Sequence, residues 1–110
     1  MVLLRIGLSL EIMMDECKRV GIFCKSVFRG RAIMEDLDRG DGTHFTIFPV
    51  NEGDKFFGVK DIDKAYVLDD VSYREILYRV RPCLKESGYI MIGDGSTWIN
   101  LSMILRAIDL

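Results

Sequence analysis

Thr43-His44-Phe45-Thr46-Ile47-Phe48-Pro49 carries the clearest strand signal in this chain of 110 residues. Its side chains are mostly β-branched or aromatic, and both classes are enriched in strands. Pro49 has no backbone N–H to donate to a neighbouring strand, so it ends the strand or places it at a sheet edge. The segment therefore predicts a strand over Thr43–Phe48.

Upstream of this strand, the sequence predicts two further strands and two helices. In chain order they are a strand over Val2–Leu8, a helix over Leu10–Val20, a strand over Ile22–Phe28 and a helix over Ala32–Arg39. Ser9 is a suitable cap for the first helix and Gly40 a suitable end for the second, while Arg29-Gly30-Arg31 marks a break between strand and helix. An alternative remains for the start of the chain, because apolar residues recur at helical spacing from Leu3 onward and also fit one continuous helix.

Downstream, turn-forming residues separate three more strands and a helix. The predicted turns are Asn51–Asp54 and Asp61–Asp63, and the predicted strands are Lys55–Val59, Ala65–Leu68 and Tyr89–Ile92. Asp69 or Asp70 caps a helix that kinks or stops near Arg81, because Pro82 removes a backbone donor. Thr97–Ile108 fits either a helix or a strand, and its length favours the helix.

This order of elements predicts an α+β fold in a single domain that spans residues 1–110. We expect two layers, with the helices packed on one side of a mostly antiparallel sheet. A ferredoxin-like core with an inserted helix is one threading of this order. The chain is long enough, and its hydrophobic fraction of 49% high enough, to bury a core without disulfide or metal support.

Charge and hydropathy restrict the expected partners and cellular location of the protein. The net charge of −2 is balanced, so nucleic acid is not the expected partner, although a local basic patch keeps it open. The longest hydrophobic stretches, Val2–Leu10 and Trp98–Ile108, are too short and too interrupted by polar residues to span a membrane. The N-terminus lacks the basic lead-in and cleavage site of a signal peptide. We therefore expect a cytoplasmic protein with no membrane partner.

The cysteine and histidine content points away from catalysis and metal binding. Cys17, Cys24 and Cys83 form no Cys-x-x-Cys pair and lie among apolar neighbours, which is typical of reduced core thiols. A zinc site made of these thiols and His44 would require four separate elements to converge. His44 is the only histidine, and no nucleophile is tied to it in sequence. The sequence predicts no catalytic residue, no metal site and no cofactor.

Gly-Asp-Gly followed by a hydroxyl residue occurs twice, as Gly40-Asp41-Gly42-Thr43 and as Gly93-Asp94-Gly95-Ser96. Such a sequence forms a tight turn and also presents an oxygen ligand beside bare backbone N–H groups. The second copy follows an apolar strand, where ligands collect in layered α/β folds, and a helix beginning at Ser96 or Thr97 could hold a phosphate. Asp41 and His44 would support that site if the two turns converge. The candidate ligand-binding residues are Gly93, Asp94, Gly95, Ser96 and Thr97.

A basic patch is the second candidate site. Its residues are Lys25, Arg29, Arg31 and Arg81. With Phe28 as an aromatic ring for stacking, such a patch fits RNA or an acidic partner. One face of the predicted helix after Asp70 carries a related set, namely Arg74, Tyr78, Arg81 and Lys85.

The sequence does not identify the function, and three hypotheses remain. The first is a small non-catalytic binding or interaction domain that self-associates as a homo-oligomer or docks on a protein partner, which the high apolar content and six methionines favour. The second is divalent-metal or phosphate binding at Gly93–Ser96. The third is RNA binding through the basic patch. The distance between the two Gly-Asp-Gly turns discriminates best among them.

Overall fold

The computed structural model of the protein describes residues 19–51 and 58–101. These residues form five strands and two helices. The strands are β1 (Arg19–Cys24), β2 (His44–Pro49), β3 (Ile62–Leu68), β4 (Leu84–Gly93) and β5 (Trp98–Asn100). The helices are α1 (Val27–Leu37) and α2 (73–83), and α2 passes from an α-helical turn (Tyr73–Glu75) through a π-helical turn (Ile76–Val80) to a 3-10 turn (Arg81–Cys83).

Several predicted elements lie outside the described residues. The strand over Val2–Leu8 and the alternative single helix at the start of the chain fall there, as do most of Lys55–Val59 and everything after Leu101. The helix predicted to end at Val20 reaches the described range only at its last two residues. It is wrong there, because Arg19 and Val20 already belong to β1.

The five strands form one mixed sheet in the order β2-β1-β3-β4-β5. β1 pairs in parallel with β2 and β3, β3 pairs in parallel with β4, and β5 pairs antiparallel with β4. The predicted combination of helices with one sheet is confirmed, whereas the mostly antiparallel sheet and the ferredoxin-like threading are wrong. The reason is that α1 and α2 each carry the chain back to the same end of the sheet, so the strands before and after each helix run parallel.

The two helices pack on opposite faces of the sheet, so the prediction of helices on one side is also wrong. Side chains alternate between the two faces along each strand. Ile22 and Leu68 pack with Ile33 of α1 in one core. Phe23 and Val67 belong to a second core with α2. Right-handed crossovers that run in opposite directions along a sheet place their helices on opposite faces, and β1–β2 and β3–β4 run in opposite directions here.

β1 is one of the two inner strands of the parallel part of the sheet and lies between β2 and β3. Ile22, Phe23 and Cys24 are fully buried, as expected of a strand that is covered on both faces. The ring of Phe23 stacks on that of Phe48 in β2, with 4.7 Å between the centroids. β2 is an edge strand of the described sheet, as Pro49 predicts.

α1 begins earlier than the sequence predicts. The Ser26 hydroxyl caps it by accepting a hydrogen bond from the Arg29 N–H at 3.3 Å. The end of the predicted strand and the predicted break at Arg29-Gly30-Arg31 therefore lie inside the helix. A Cβ on Gly30 would lie only 2.8 Å from Cys24 Sγ, so this glycine allows the helix to approach the sheet closely.

α2 is capped by Ser72 and not by Asp69 or Asp70 as predicted. The Ser72 hydroxyl accepts a hydrogen bond from the Glu75 N–H at 3.2 Å. The helix gives way to β4 just after Pro82, close to the predicted end. Within the described ranges, neither helix is long and apolar enough to cross a membrane.

β4 confirms the predicted strand over Tyr89–Ile92 and extends it in both directions. β5 shows that the helix predicted from Thr97 is wrong at Trp98–Asn100. The chain reverses between these strands through Gly95, whose φ of +103° is readily adopted only by glycine. The hairpin then continues the sheet at Trp98–Asn100, and the rest of the predicted helix after Leu101 lies outside the described residues.

Candidate functional site

The two Gly-Asp-Gly turns lie at opposite ends of the parallel strands, one where these strands begin and the other where they end. The first turn precedes β2 and the second follows β4. Because β2 and β4 run in the same direction, the start of β2 and the end of β4 lie on opposite sides of the sheet along the strand direction. The structure therefore does not bring Asp41 and His44 together with Asp94.

Each of the two turns uses its own carboxylate to hold itself closed. Asp94 Oδ1 accepts hydrogen bonds from the Thr97 N–H at 3.0 Å and from the Ser96 N–H and hydroxyl, both at 2.9 Å. Asp41 Oδ1 accepts in the same way from the hydroxyl and N–H of Thr43. The bonds from Thr97 and Ser96 lower the pKa of Asp94 to about 2, and those from Thr43 also lower the pKa of Asp41. The repeat is thus explained by a shared turn chemistry.

Gly93 and Gly95 have packing roles in the β4–β5 turn. A Cβ on Gly93 would collide with the carbonyl of Thr97 and lie 2.9 Å from Cε3 of Trp98. A Cβ on Gly95 would lie 2.5 Å from Cδ1 of Ile33 in α1. The turn therefore packs closely on α1, and a strand follows it where a phosphate-holding helix was expected.

We expect the β4–β5 turn to lose stability in acid because of Asp94. Folding favours the ionised carboxylate, so its stabilisation is complete above the ordinary aspartate pKa of about 4 and disappears as the pH falls through about 2. Hydrogen exchange of the Ser96 and Thr97 amides, followed by NMR from about pH 5 downward, should therefore lose protection across this window.

Two substitutions at this position separate charge from hydrogen bonding. Asp94→Asn keeps an oxygen acceptor but cannot titrate, so the acid-dependent loss of protection should vanish. Asp94→Ala removes the acceptor and should leave both amides weakly protected at every pH. An acid transition that persists in Asp94→Asn would contradict this role of Asp94.

The predicted basic patch comprises Lys25, Arg29, Arg31 and Arg81. Two of these residues lie beyond the carboxyl ends of the parallel strands, a border of the sheet named the carboxyl edge. Both pair with acidic side chains, Lys25 with Glu75 at 3.6 Å and Arg29 with Asp69 at 2.8 Å. Arg31 is exposed on α1 and Arg81 on α2, hence on opposite sides of the sheet. The structure does not gather the four residues into one basic surface.

Charged side chains gather instead where β1 and β3 end. The two strands are neighbours, but α1 leaves β1 over one face of the sheet and α2 leaves β3 over the other. Open α/β sheets bind ligands at such a topological switch point, outside the carboxyl ends of the strands. The residues gathered here, named the switch-point cluster, are Lys25, Arg29, Asp69, Asp70 and Glu75.

Arg29 links three segments of the chain at this edge. Its Nη1 lies 2.8 Å from Asp69 Oδ1 and 3.9 Å from Asp70 Oδ2. Its Nη2 donates to the Asp94 carbonyl at 3.4 Å. The hydrogen bond to Asp69 raises the pKa of Arg29. One guanidinium group therefore connects α1, the end of β3 and the β4–β5 turn.

Lys25 organises the acidic side of the switch-point cluster. Its backbone N–H donates to Asp70 Oδ2 at 3.3 Å, and its Nζ lies 3.6 Å from Glu75 Oε1. The other oxygen of each carboxylate, Asp70 Oδ1 and Glu75 Oε2, is buried and accepts no hydrogen bond from the described residues. A buried carboxylate oxygen without a donor costs free energy. Each of these oxygens therefore retains unused capacity to accept a hydrogen bond.

Two exposed aromatic rings flank the switch-point cluster. Phe28, in the first turn of α1, is 86% exposed, and Tyr73, at the start of α2, is 55% exposed. Because the two helices leave the edge over opposite faces, the rings stand on either side of the switch point. Aromatic faces of this kind can pack against a planar group.

The three acidic residues of this cluster are not predicted from the sequence as site residues. There, Asp69 and Asp70 are expected to cap a helix, and Glu75 has no expected role. The available signal was a pair of carboxylates directly after a strand that ends in the buried residues Val67 and Leu68. That signal acquires meaning only once β1 and β3 are known to be neighbours.

The cysteines and the histidine are not part of the switch-point cluster. Cys24 and Cys83 are buried free thiols, as predicted, and lie on opposite faces of the sheet, whereas Cys17 is outside the described residues. Burial, followed by the charge of Asp70, raises the pKa of Cys24, which keeps this thiol protonated. His44 begins β2 and so lies at the opposite edge. In the part of the chain that the structure describes, no three His, Cys, Asp or Glu side chains are arranged to hold a metal ion.

Comparisons with protein-family models, curated proteins and solved structures give no match to this chain. The function of the site is therefore inferred from its geometry and charge.

Proposed function

We propose that the protein is a cytoplasmic binding domain for a small molecule that occupies the switch-point cluster. The main support is the pair of buried carboxylate oxygens, Asp70 Oδ1 and Glu75 Oε2, which accept no hydrogen bond from the described residues. They lie at the sheet edge where open α/β folds bind their ligands. The proposed site thus lies beside the Gly93–Ser96 turn and not in the turn itself.

The proposed ligand carries hydroxyl or amino groups next to a planar ring. The hydroxyl or amino groups would donate to Asp70 and Glu75, where charged acceptors make hydrogen bonds stronger than neutral ones. The ring would pack against Phe28 or Tyr73, the two exposed aromatic side chains at this edge. Gly93–Thr97 would form one wall of the site, since Arg29 binds the Asp94 carbonyl.

Adenosine is a suitable probe because it combines a planar base with two adjacent hydroxyl groups. In an NMR titration of the full chain, we expect the amide signals of Lys25, Asp70 and Gly93–Thr97 to shift. Asp70→Asn and Glu75→Gln should each weaken binding about tenfold, because a neutral amide oxygen accepts a hydrogen bond less strongly than a carboxylate.

The controls isolate the acidic oxygens and the two parts of the probe. Asp36→Asn makes the same chemical change at an exposed position of α1 and should leave binding unchanged. Ribose and 9-methyladenine each carry one half of the probe and should bind more weakly than adenosine. The proposal fails if none of the three compounds shifts signals at the cluster, or if Asp70→Asn and Glu75→Gln both bind as the unmodified protein does.

A second function, self-association or docking on a protein partner, is supported by exposed apolar side chains. Tyr78 is 71% exposed and Ile99 is 52% exposed, and exposed aromatic residues are enriched at interfaces. Sedimentation velocity over a range of concentrations tests self-association. A sedimentation coefficient that rises with concentration supports it, whereas a constant monomer value contradicts it.

A further inference from the structure

The outer side of α2 combines exposed basic and aromatic groups. Arg74, Tyr78 and Arg81 are exposed, whereas Ile76 and Val80 of the same helix are buried in the core. The guanidinium carbon of Arg74 lies 6.0 Å from the centre of the Tyr78 ring, which is within cation–π reach. The three exposed residues are named the basic-aromatic face.

The described residues do not neutralise the charge of this face. Neither Arg74 nor Arg81 forms an ion pair within residues 19–51 and 58–101. The one acidic residue of α2, Glu75, pairs with Lys25 at the carboxyl edge. Among the described residues, this face therefore carries positive charge without an ion-pair partner, unlike Lys25 and Arg29, which are paired.

We infer that the basic-aromatic face docks an acidic segment of a partner protein. This inference rests on the second function proposed above and is independent of the ligand at the switch-point cluster. Carboxylates of the partner would pair with Arg74 and Arg81, while an apolar side chain of the partner would cover Tyr78. Tyrosine and arginine are among the residue types that most often carry the binding energy of an interface. Their support by a helix packed into the core keeps them in place before binding.

The composition of the basic-aromatic face favours a protein over single-stranded RNA as its binding partner. RNA binders of this kind track the backbone with a positively charged groove and stack successive bases on aromatic rings. Here two arginines, which form no ion pair with the described residues, flank a single ring on the outside of a helix, and Arg74 already lies against that ring. So few phosphate contacts give weak binding at physiological salt.

A short peptide of alternating glutamate and leucine residues tests this inference in an NMR titration of the full chain. We expect the signals of Arg74, Tyr78 and Arg81 to shift and the affinity to fall as salt is raised. Arg74→Ser combined with Arg81→Ser should weaken binding about tenfold, because each exposed ion pair contributes only a few-fold. Arg31→Ser combined with Arg39→Ser removes the same charge from exposed positions elsewhere and should leave binding unchanged.

The outcomes separate this face from the docking function as a whole. If the peptide binds but the Arg74 and Arg81 variant retains its affinity, docking stands and this face is not its site. If the peptide does not bind at all, docking of an acidic partner fails. If oligouridine shifts the same signals at lower concentration than the peptide, the face binds RNA and the inference is overturned. A urea unfolding curve of each variant verifies that it is folded.

Discussion

Phe23→Ala should lower the free energy of unfolding by about 3–5 kcal/mol. Phe23 is the largest fully buried side chain among the described residues, and its ring stacks on Phe48 with 4.7 Å between the centroids. The substitution leaves a cavity beside β1, which cannot shift to fill it because β1 is hydrogen-bonded to β2 and β3 on its two sides. For a domain whose stability is about 5–15 kcal/mol, this is a large fraction of the total.

Phe28→Ala is the matched control for this substitution. It removes the same side chain from a position that is 86% exposed, so we expect a change within about 0.5 kcal/mol. Urea unfolding followed by circular dichroism measures both variants. A loss smaller than about 1 kcal/mol in Phe23→Ala would contradict the burial of Phe23 in the core.

Gly93→Ala should have the second-largest effect, a loss of about 3 kcal/mol of unfolding free energy. The added Cβ would collide with the backbone carbonyl of Thr97, which cannot rotate away as a side chain does, and would press on the ring of Trp98. The β4–β5 hairpin must then open. Because Trp98 is the only tryptophan in the chain and packs edge-on against Tyr66 at 4.8 Å, its fluorescence emission should shift towards that of an exposed indole.

Gly40→Ala separates this collision from the general cost of replacing a glycine. Gly40 has φ +69° with no atom within 4 Å of the position of a Cβ, so alanine there meets only backbone strain of about 1–2 kcal/mol. We expect Trp98 emission to remain unchanged in this variant. Unchanged emission in Gly93→Ala as well would contradict the close packing of the hairpin.

The sequence predicts most of the described strands but not their arrangement. β-branched and apolar runs identify β2, β3 and the centre of β4, because strand propensity and burial act on residues close together in sequence. Which strands are neighbours depends on where the helix after each strand packs. The prediction of a mostly antiparallel sheet is wrong for this reason, although most of the segments predicted to be strands are strands.

Gly30 shows why the boundary of α1 is hard to predict. Glycine weakens helices in isolation, and on this ground Arg29-Gly30-Arg31 indicates a break. In the folded protein its missing Cβ allows the helix to lie against Cys24 and Ile47. The gain from this packing exists only in the tertiary structure, so no local pattern contains it.

The candidate site was less predictable than the fold. The Asp94 turn is recognisable in the sequence, but the hydrogen bonds that occupy its carboxylate are not evident from a Gly-Asp-Gly pattern. The switch-point cluster joins Lys25, at the end of β1, to Asp70 and Glu75, which follow β3. These segments are distant in sequence and meet only because β1 and β3 pair.

The position of β1 between β2 and β3 also affects how the chain folds during synthesis. β1 leaves the ribosome before either of its neighbours, and it cannot complete both pairings until β3 has been made. Pairings across such long sequence distances form slowly, and the β4–β5 hairpin, which is the local pairing among the described strands, comes last. Among the described strands, the one that is most deeply buried is thus the one exposed for longest on the nascent chain. Its unpaired edges and apolar side chains, Phe23 among them, make this stage the most vulnerable to aggregation.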